Sequence, residues 1–346
     1  MNTPVRVSPR FASEAGERGL IERIRQRLPP APPDLVVGPG DDAAVVRPDR
    51  GALQILTTDA LVEGVHFDLR FSSYADVGHK ALAVNLSDIA AMGGGPRFAL
   101  LSLMLPESCT LEAVDQLLDG LLALAERSQV TVAGGNITRS PGPLVVDVAL
   151  TGAARVRKLL RRSGGRAGDR LYVSGAIGAA KAGLEWLQAR TSAQAVGRQD
   201  RAELYECVEQ YRRPEPRTRL GALLGRTRAA NACMDLSDGL ADAVRQIAEA
   251  SGTGAKIEST SLPIHRAAAA WFAERGADPV ALALEGGDDY ELLFATPAKS
   301  KGRLRAVTRL VRGLPLTHIG ELTTEPSIRL VRDGAESALP RGFVHF

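Results

Sequence analysis

Residues 73–95, SYADVGHKALAVNLSDIAAMGGG, contain the start, the body and the end of one predicted helix. Ser73 and Asp76 have the spacing of a capping box, with Asp in place of the usual Glu or Gln, and the glycines at 93–95 end the helix. The apolar run over residues 97–105 that follows is typical of a strand buried on both faces. A helix that leads into such a strand predicts an α/β fold in which helices cover a sheet.

Strand and helix patterns continue on both sides of this stretch. Before residue 154 we expect helices over 17–28 and 111–125, and strands over 35–37, 43–46, 53–57, 130–133 and 144–150. The strand at 53–57 is expected to give way to a polar loop within TTDALVEGVHFDL, residues 57–69, and GGNITRSPGP, residues 134–143, is also expected to be a loop.

The second half begins after a basic stretch. Residues 155–170 carry seven basic side chains and one acid, which makes this stretch a sensible domain boundary. Beyond it we expect a strand and helix over 169–188, a surface loop over 191–203, a strand entering a helix over 233–252 and a turn followed by a strand from 285. At 346 residues the chain suits two domains, predicted at 1–154 and 155–346.

The composition excludes several classes of protein. With 43 basic and 40 acidic side chains the net charge is +3, which gives no strong nucleic-acid signature. The three cysteines form no CxxC pair, so neither a disulfide framework nor a zinc knuckle is implied. No apolar run approaches the roughly 18 residues of a membrane span, and the first 20 residues lack the apolar centre of a signal peptide. We therefore expect a cytoplasmic protein.

The most informative feature is a set of aspartates beside glycine or at the ends of elements. They are Asp41, Asp42, Asp59, Asp88, Asp235, Asp238, Asp288 and Asp289. Each alone is most simply a turn former or a helix cap. Together they favour a cation site, because converging carboxylates repel one another, and the lack of a His or Cys cluster favours Mg²⁺ over zinc. Because Mg²⁺ binds substrate phosphates, a magnesium nucleotide is the natural ligand.

Two basic runs leave alternatives open. Residues 155–170 and 211–219 could contact the phosphates of a nucleotide or form ordinary solvated faces. A tetrapeptide also recurs 150 residues apart, as Asn85-Leu-Ser-Asp88 and Asp235-Leu-Ser-Asp238. It indicates either two related halves or a chance match.

Familiar nucleotide motifs are missing from the sequence. There is no GxxxxGK[ST] loop, no GxGxxG and no pair of HRD and DFG motifs, which disfavours P-loop enzymes and protein kinases. GxSxG is absent as well.

Eight ordered blocks resemble the thiamine-monophosphate kinase family, which belongs to a superfamily that includes aminoimidazole ribonucleotide synthetase. The blocks are GDDAAVV, TTDALVEGVHFDL, KALAVNLSDIAAMGG, GGNITR, LLRRSG, MDLSDGL, GGDDYELLF and GFVHF, and they span residues 17–346 approximately. The resemblance implies an α/β (α+β) two-domain synthetase-like fold. Its N-terminal domain, a mixed sheet with helices on one face, would bind ATP and Mg²⁺ and form a homodimer, and its C-terminal domain would be α/β.

The activity implied by the resemblance is ATP-dependent phosphorylation of thiamine monophosphate to thiamine diphosphate. Transfer would be direct and in line, with several Mg²⁺ ions, while a K⁺ requirement is left open. Such a transfer needs positioning and charge neutralisation more than a protein nucleophile, because the substrate's own phosphate can attack. We therefore nominate no catalytic nucleophile or base. Neither a nucleic acid nor a membrane is expected as a partner.

The resemblance also assigns roles to individual residues. The implied magnesium ligands are Asp42, Thr57, Thr58, Asp59, Asp88, Asn136, Asp235 and Asp238. Gly135, Asn136, Arg162 and Ser237 would contact ATP, and His66, Asp288 and a terminal aromatic, Phe343, would hold the thiamine substrate.

Two of these residues depart from the family pattern. Asn136 stands where the family usually has Asp, which removes one charge from the metal site. Asp288 stands where Glu is common, which shortens the arm that reaches the substrate.

Rival functions use the same kind of ATP site. Selenophosphate synthetase usually has a reactive Cys or selenocysteine near its start, and the hydrogenase-maturation dehydratase has a Cys near its end. Cys109, Cys207 and Cys233 fit neither pattern. The purine-pathway synthetase and a non-catalytic magnesium-nucleotide sensor remain as alternatives.

The predicted helices also bear on assembly. A single helix layer, drawn from residues 73–92 and 111–127, would cover only one side of the sheet that holds the strand at 97–105. Either a second copy of the N-terminal domain or the C-terminal domain of the same chain would then cover the other side.

Overall fold

The computed structural model describes residues 11–39, 43–191, 201–340 and 342. The chain divides into two compact units. The first holds residues 1–49, 56–85 and 97–151, and the second holds 50–55, 86–96 and 152–346.

The N-terminal elements include a four-stranded sheet. In chain order they are α1 (Ala12–Arg27), β1 (Leu35–Val37), β2 (Val45–Val46), β3 (Leu53–Val62), α2 (Tyr74–Ala91), β4 (Gly95–Pro106), α3 (Leu111–Arg127), β5 (Thr131–Ser140) and β6 (Val145–Ala154). The strand order is β3-β6-β4-β5, and β4 and β5 are parallel. The two-residue strand β2 pairs with β1 in a separate small sheet.

Strand β4 is buried on one face only. Ala99, Leu101, Leu103 and Leu105 are buried, whereas Leu100 between them is 42% exposed. Among the described residues of one chain, one face of this strand is covered, and burial of its second face by another copy stays a prediction.

Two expected loops are strands in the structure. Strand β3 continues to Val62, so residues 57–62 of the expected polar loop are paired backbone. Strand β5 likewise continues through residues 134–140, which lie in parallel register with residues 100–106 of β4. The polar side chains and glycines of these residues do not indicate strands. Both extensions form because their backbones pair with strands that are distant in the sequence.

Helices α2 and α3 pack closely through two glycines. A Cβ atom at Gly78 would lie 1.9 Å from the carbonyl oxygen of Leu117, and one at Gly120 would lie 1.8 Å from that of Ala75. The capping box is confirmed: Ser73 N donates to Asp76 Oδ2 at 2.9 Å, and Asp76 N donates to Ser73 Oγ at 3.2 Å.

The C-terminal elements form a seven-stranded sheet with helices. They are β7 (Arg170–Ser174), α4 (Ala179–Thr191), α5 (Tyr205–Arg212), α6 (Thr218–Thr227), β8 (Ala232–Asp235), α7 (Leu240–Ser251), β9 (Gly254–Glu258), α8 (Arg266–Glu274), α9 (Pro279–Glu285), β10 (Leu292–Thr296), α10 (Lys301–Leu310), β11 (Leu316–Thr323), β12 (Ile328–Arg332) and β13 (Ala335–Ala338). The order is β13-β12-β9-β11-β7-β10-β8, with β12 and β9 parallel.

Residues of β10 alternate between two cores. Leu293 belongs to a cluster with α7 residues such as Val244, and Phe294 belongs to a cluster with residues of α6 and α10 such as Leu224. The last turn of α2 is part of the second cluster through Ala90. A Cβ atom at Gly221 of α6 would lie 1.9 Å from the carbonyl oxygen of Ala90, so the end of α2 is held tightly within this unit.

None of the helices in the described parts of the chain has the length and apolar character that crossing a bilayer requires.

Candidate active site

The two related tetrapeptides meet in the second unit. Asp235 ends strand β8 and is 4% exposed, and its Oδ2 atom accepts a hydrogen bond from Ser87 Oγ at 2.8 Å. Ser87 lies in the last part of α2, one residue before the half-buried Asp88. The end of a helix and the end of a strand therefore bring acidic residues 150 positions apart into one neighbourhood.

A second loop is hydrogen-bonded to the segment that follows Asp235. Asp288 N donates to Ser237 O at 2.8 Å, Tyr290 N donates to Leu236 O at 3.0 Å, and Leu236 N donates to the carbonyl oxygen of Glu291 at 2.8 Å. We call this pair of segments, residues 235–239 and 286–291, the loop pair. It brings together Ser237, Asp238 and Asp288, which the sequence analysis selected separately.

The loop pair requires glycine at its closest approach. A Cβ atom at Gly287 would lie 2.5 Å from the carbonyl oxygen of Ser237. Gly239, which precedes helix α7, has φ of 95°, a conformation that favours glycine. The glycines of GGDD and of DLSDG thus serve the backbone contact itself.

Two buried acids, Asp289 and Glu291, anchor the loop pair to the interior of the second unit. The carboxylate of Asp289 accepts hydrogen bonds from Gly178 N at 2.7 Å and Ala180 N at 3.3 Å, at the start of α4. Burial raises the pKa of Asp289 to about 8, and these two backbone donors oppose that shift. Asp289 entered the sequence analysis as one of a set of aspartates without a role, and the structure gives it this one.

Glu291 is the second buried acid. It forms an ion pair with Arg217 and accepts a hydrogen bond from Ser174 Oγ at 2.5 Å. Burial raises the pKa of Glu291, and the guanidinium of Arg217 opposes the shift. Glu291 was not among the predicted site residues, although an acid that leads directly into an apolar strand is a signal of a buried partner. Arg217, from the basic run 211–219, is neither a solvated side chain nor free for phosphate here.

The last described residue also lies against this site. A Cβ atom at Gly342 would lie 2.6 Å from Asp242 Cβ and 2.8 Å from the carbonyl oxygen of Asp238. Phe343 follows it directly and lies outside the described residues, as does Asp42.

Arg162 lies in an exposed position beside helix α7. Its guanidinium donates a hydrogen bond to Gln246 Oε1, and Gln246 Nε2 donates to Asp242 Oδ2 at 2.5 Å. Arg162 is thereby connected to helix α7, which starts two residues after Asp238.

Polar side chains of the N-terminal sheet lie on its two edge strands, β3 and β5. Thr58 is exposed on β3, and its Oγ1 donates to Asp147 Oδ1 of β6 at 2.9 Å. Thr57 and Asp59, its neighbours on β3, are half-buried. On β5, Gly135 and Asn136 are exposed.

The neighbouring strand β4 leaves no room for a side chain at position 135. A Cβ atom at this position would lie 1.8 Å from the carbonyl oxygen of Leu101 on β4. Its glycine therefore has a structural cause that is independent of any nucleotide.

His66 lies in a turn after β3, where a backbone donor selects the tautomer of its neutral ring. Its Nδ1 atom accepts a hydrogen bond from Val62 N at 3.0 Å, so the neutral ring carries its proton on Nε2. Its carbonyl oxygen accepts from Lys80 Nζ at 3.1 Å. The ring can donate one hydrogen bond from Nε2.

Comparison with known proteins places the chain in a family. The model of the N-terminal domain of AIR synthase related protein matches residues 40–154, and that of the C-terminal domain matches residues 166–333. The thiamine-monophosphate kinase of Salmonella typhimurium (strain LT2) is 38% identical over 339 residues, which are 96% of this chain and 98% of that protein. The protein from Rhodopirellula baltica is 33% identical over 338 residues, 95% and 97% of the two chains. The chain belongs to the thiamine-monophosphate kinase family.

Solved structures of this family have the same fold. The crystal structure of thiamine-monophosphate kinase from Stenotrophomonas maltophilia K279a has a TM-score of 0.78 and 36% identity, with 92% of this chain and 96% of that chain covered. The complex of AaThiL with AMPPCP and TMP has a TM-score of 0.75 and 32% identity, with 96% and 98% covered. Structures of the hydrogenase maturation protein HypE share the fold at 17–22% identity.

The magnesium ions implied for the thiamine-monophosphate kinase family suit the donors that this chain offers. Among the described residues, no group of three or more His, Cys, Asp or Glu forms a metal cage. Mg²⁺ seldom needs one, since it usually binds one or two carboxylates together with water and substrate phosphates. Asp88, Asp235 and Asp238 provide carboxylates of this kind in the second unit, so a metal that arrives with a nucleotide fits the residues present.

Proposed function

We propose that this protein catalyses ATP-dependent phosphorylation of thiamine monophosphate to thiamine diphosphate. The loop pair carries the proposal, because it gathers Ser237, Asp238 and Asp288 beside the hydrogen-bonded Ser87 and Asp235. Further support comes from the relative AaThiL, which was solved with AMPPCP and TMP.

In this proposal the carboxylates hold magnesium and the basic and backbone groups hold ATP. The proposed magnesium ligands of the second unit are Asp88, Asp235 and Asp238. Those of the first unit are Thr57, Thr58, Asp59 and Asn136, and Asp42 precedes them in the chain. When bound, Mg²⁺ would neutralise the two phosphate groups that must approach each other. Gly135, Asn136, Arg162 and Ser237 are the proposed ATP contacts.

The thiamine substrate would be held by His66, Asp288 and Phe343. The Nε2–H of His66 can donate to an oxygen of the substrate, and the Asp288 carboxylate can accept from its amino group or face its positive charge. An oxygen of the substrate phosphate would then attack the γ-phosphorus of ATP in line, and ADP would leave. No protein nucleophile is needed, and the main task of the chain is orientation.

An assay of thiamine diphosphate formation tests this proposal. Purified protein is incubated with ATP, Mg²⁺ and thiamine monophosphate, with and without K⁺, and the product is separated chromatographically. We expect product only when all three are present. Binding of Mg²⁺-ATP without any turnover would favour the nucleotide sensor, and activity with a different acceptor would favour another member of the superfamily.

We also propose a homodimer formed through the outer face of the four-stranded sheet. Leu100 on β4 is 42% exposed and Leu56 on β3 is 72% exposed, and the buried cluster of Leu35, Phe98 and Ala133 includes neither of them. Apolar side chains exposed on a sheet favour a persistent two-fold contact. The domain limits 1–154 and 155–346 and the cytoplasmic location stay predictions.

Light scattering after size exclusion tests the dimer. The variants must be Leu56→Asp and Leu100→Asp, because Leu101 and Leu103 are buried within the unit and their replacement would disrupt the fold itself. We expect twice the chain mass of 36.7 kDa for the wild type and one chain mass for the double variant with unchanged helix signal. A wild-type species of one chain mass at tens of micromolar would contradict the dimer.

A further inference from the structure

Tyr290 contacts the carboxylate of Asp288 directly. Its hydroxyl donates a hydrogen bond to Asp288 Oδ1 at 3.0 Å, and the residue is only 8% exposed. Both residues have positive φ, 67° for Asp288 and 48° for Tyr290, and residues other than glycine rarely adopt this backbone conformation. Two unusual backbone conformations are thus maintained within three residues, and the side chains that they position touch each other.

The residues between and after them prevent the loop from relaxing. Asp289 is bound to the start of α4 by two backbone donors, and its own carbonyl oxygen accepts from Gln210 Nε2 at 2.9 Å. Glu291 is bound by Arg217 and Ser174. Since Asp289 and Glu291 are fixed in the interior, Asp288 and Tyr290 are held where their side chains can interact.

We propose that Tyr290 is a positioning residue for thiamine monophosphate and that it acts through the carboxylate of Asp288. This inference rests on the proposed function. The side chain of Asp288 is short, so its carboxylate lies close to its own backbone, within reach of the Tyr290 hydroxyl. A hydrogen bond to the carboxylate selects one rotamer of Asp288 and so fixes the direction in which its other oxygen faces the substrate.

The variant Tyr290→Phe tests the inference, because it removes one hydroxyl and keeps the buried ring. We expect KM for thiamine monophosphate, and its Kd measured by calorimetry, to rise about threefold to tenfold, as the loss of one hydrogen bond to a charged group predicts. We expect kcat and KM for ATP to change less than twofold. Tyr172→Phe is the matched control, since Tyr172 stacks on Phe294 in the same unit and should change neither constant.

A double-mutant cycle separates positioning from a purely structural role. In an Asp288→Asn background, Tyr290→Phe should weaken binding of thiamine monophosphate by much less than it does in the wild type. An unchanged KM and Kd in folded Tyr290→Phe, or an equal loss in both backgrounds, would overturn the inference.

The binding measurement also keeps this inference apart from the proposed function. If the wild type binds thiamine monophosphate but forms no thiamine diphosphate, the proposed function fails, and the Kd of Tyr290→Phe still decides the role of Tyr290. If the wild type does not bind thiamine monophosphate at all, both are contradicted.

Discussion

The tetrapeptides Asn85-Leu-Ser-Asp88 and Asp235-Leu-Ser-Asp238 share three of four residues but adopt different secondary structures. The first lies within helix α2, where Asn85 is fully buried and its Nδ2 atom donates to Ala81 O at 3.0 Å. The second begins at the last residue of β8 and continues into a turn that Gly239 completes before α7.

This difference shows that the surrounding sequence decides the local structure of such a motif. In α2 the helix itself positions Ser87 and Asp88. After β8 the equivalent residues depend on hydrogen bonds from a second loop, residues 286–291. The two segments are therefore not equivalent parts of two similarly folded halves, although the Ser87 hydroxyl joins them directly.

The largest expected effect comes from the final acid of each tetrapeptide. We expect Asp88→Asn and Asp238→Asn each to lower kcat by about two orders of magnitude or more, because each removes a charge proposed to act on magnesium and phosphate. The temperature of unfolding should change little, since both side chains are only half-buried. Wild-type turnover of both variants at saturating Mg²⁺ would falsify the metal assignment.

The next-largest effect concerns residues 286–291, the loop that is hydrogen-bonded to the second tetrapeptide. The pKa of Asp289 is raised to about 8 by burial, well above its value in an unfolded chain. The folded protein therefore retains a proton that the unfolded chain releases, and stability should fall as pH rises from about 4 to about 8, by up to about 1.4 kcal/mol per pH unit. We expect Asp289→Asn to flatten this dependence in denaturant titrations.

The exposed cap of α9 provides the control for that experiment. Asp278→Asn also removes one carboxylate but keeps a side-chain oxygen that can accept from Val280 N. The fall in stability with rising pH should persist in this variant, because Asp289 stays buried. An Asp289→Asn profile as steep as the wild-type profile would assign the pH dependence to other groups.

A smaller effect is expected from the bond that joins the tetrapeptides. Ser87→Ala removes a donor to the buried carboxylate of Asp235 and should lower the free energy of unfolding by about 1–3 kcal/mol. The corresponding change in the second tetrapeptide, Ser237→Ala, should lower it by less than about 0.5 kcal/mol and instead raise KM for ATP. Ser87 is buried and Ser237 is half-buried. Equal losses of stability in the two variants would show that this difference in burial has no energetic consequence.

The smallest effect is expected outside both tetrapeptides, on strand β5. Asn136→Asp adds a charge at an exposed position and should lower the Mg²⁺ concentration that gives half-maximal activity by a few-fold. A Mg²⁺ titration of activity in both proteins measures this. An identical half-saturating concentration would place residue 136 outside the metal site.

Local chemistry made parts of this fold predictable from the sequence. Ser73 and Asp76 stand close together in the chain, so their reciprocal hydrogen bonds could be foreseen, and the strand expected at residues 35–37 is β1. The strands through residues 57–62 and 134–140 could not be foreseen, because their backbone partners are far away in the sequence and their side chains are polar.

Some residues of the candidate site could likewise be predicted from the sequence, and others could not. Asp235, Asp238 and Asp288 could be selected because each stands beside glycine or at an element end, whereas Ser237 was implied only by the family resemblance. The ion pair of Glu291 with Arg217 could not, since it joins the residue before β10 to the residue before α6, 74 positions away, and nothing in the sequence pairs the two. Long-range pairing of buried charge leaves no periodic pattern.

The crossing of α2 and α3 limits how this protein can be engineered for stability. Replacing a helical glycine by alanine ordinarily gains up to about 1 kcal/mol, and Gly78 and Gly120 would be natural choices for such a design. Each new methyl group would strike a carbonyl oxygen of the opposite helix, so both changes would force the helices apart. Gly302, near the start of α10, has open space around the same position and is the glycine that a designer should replace.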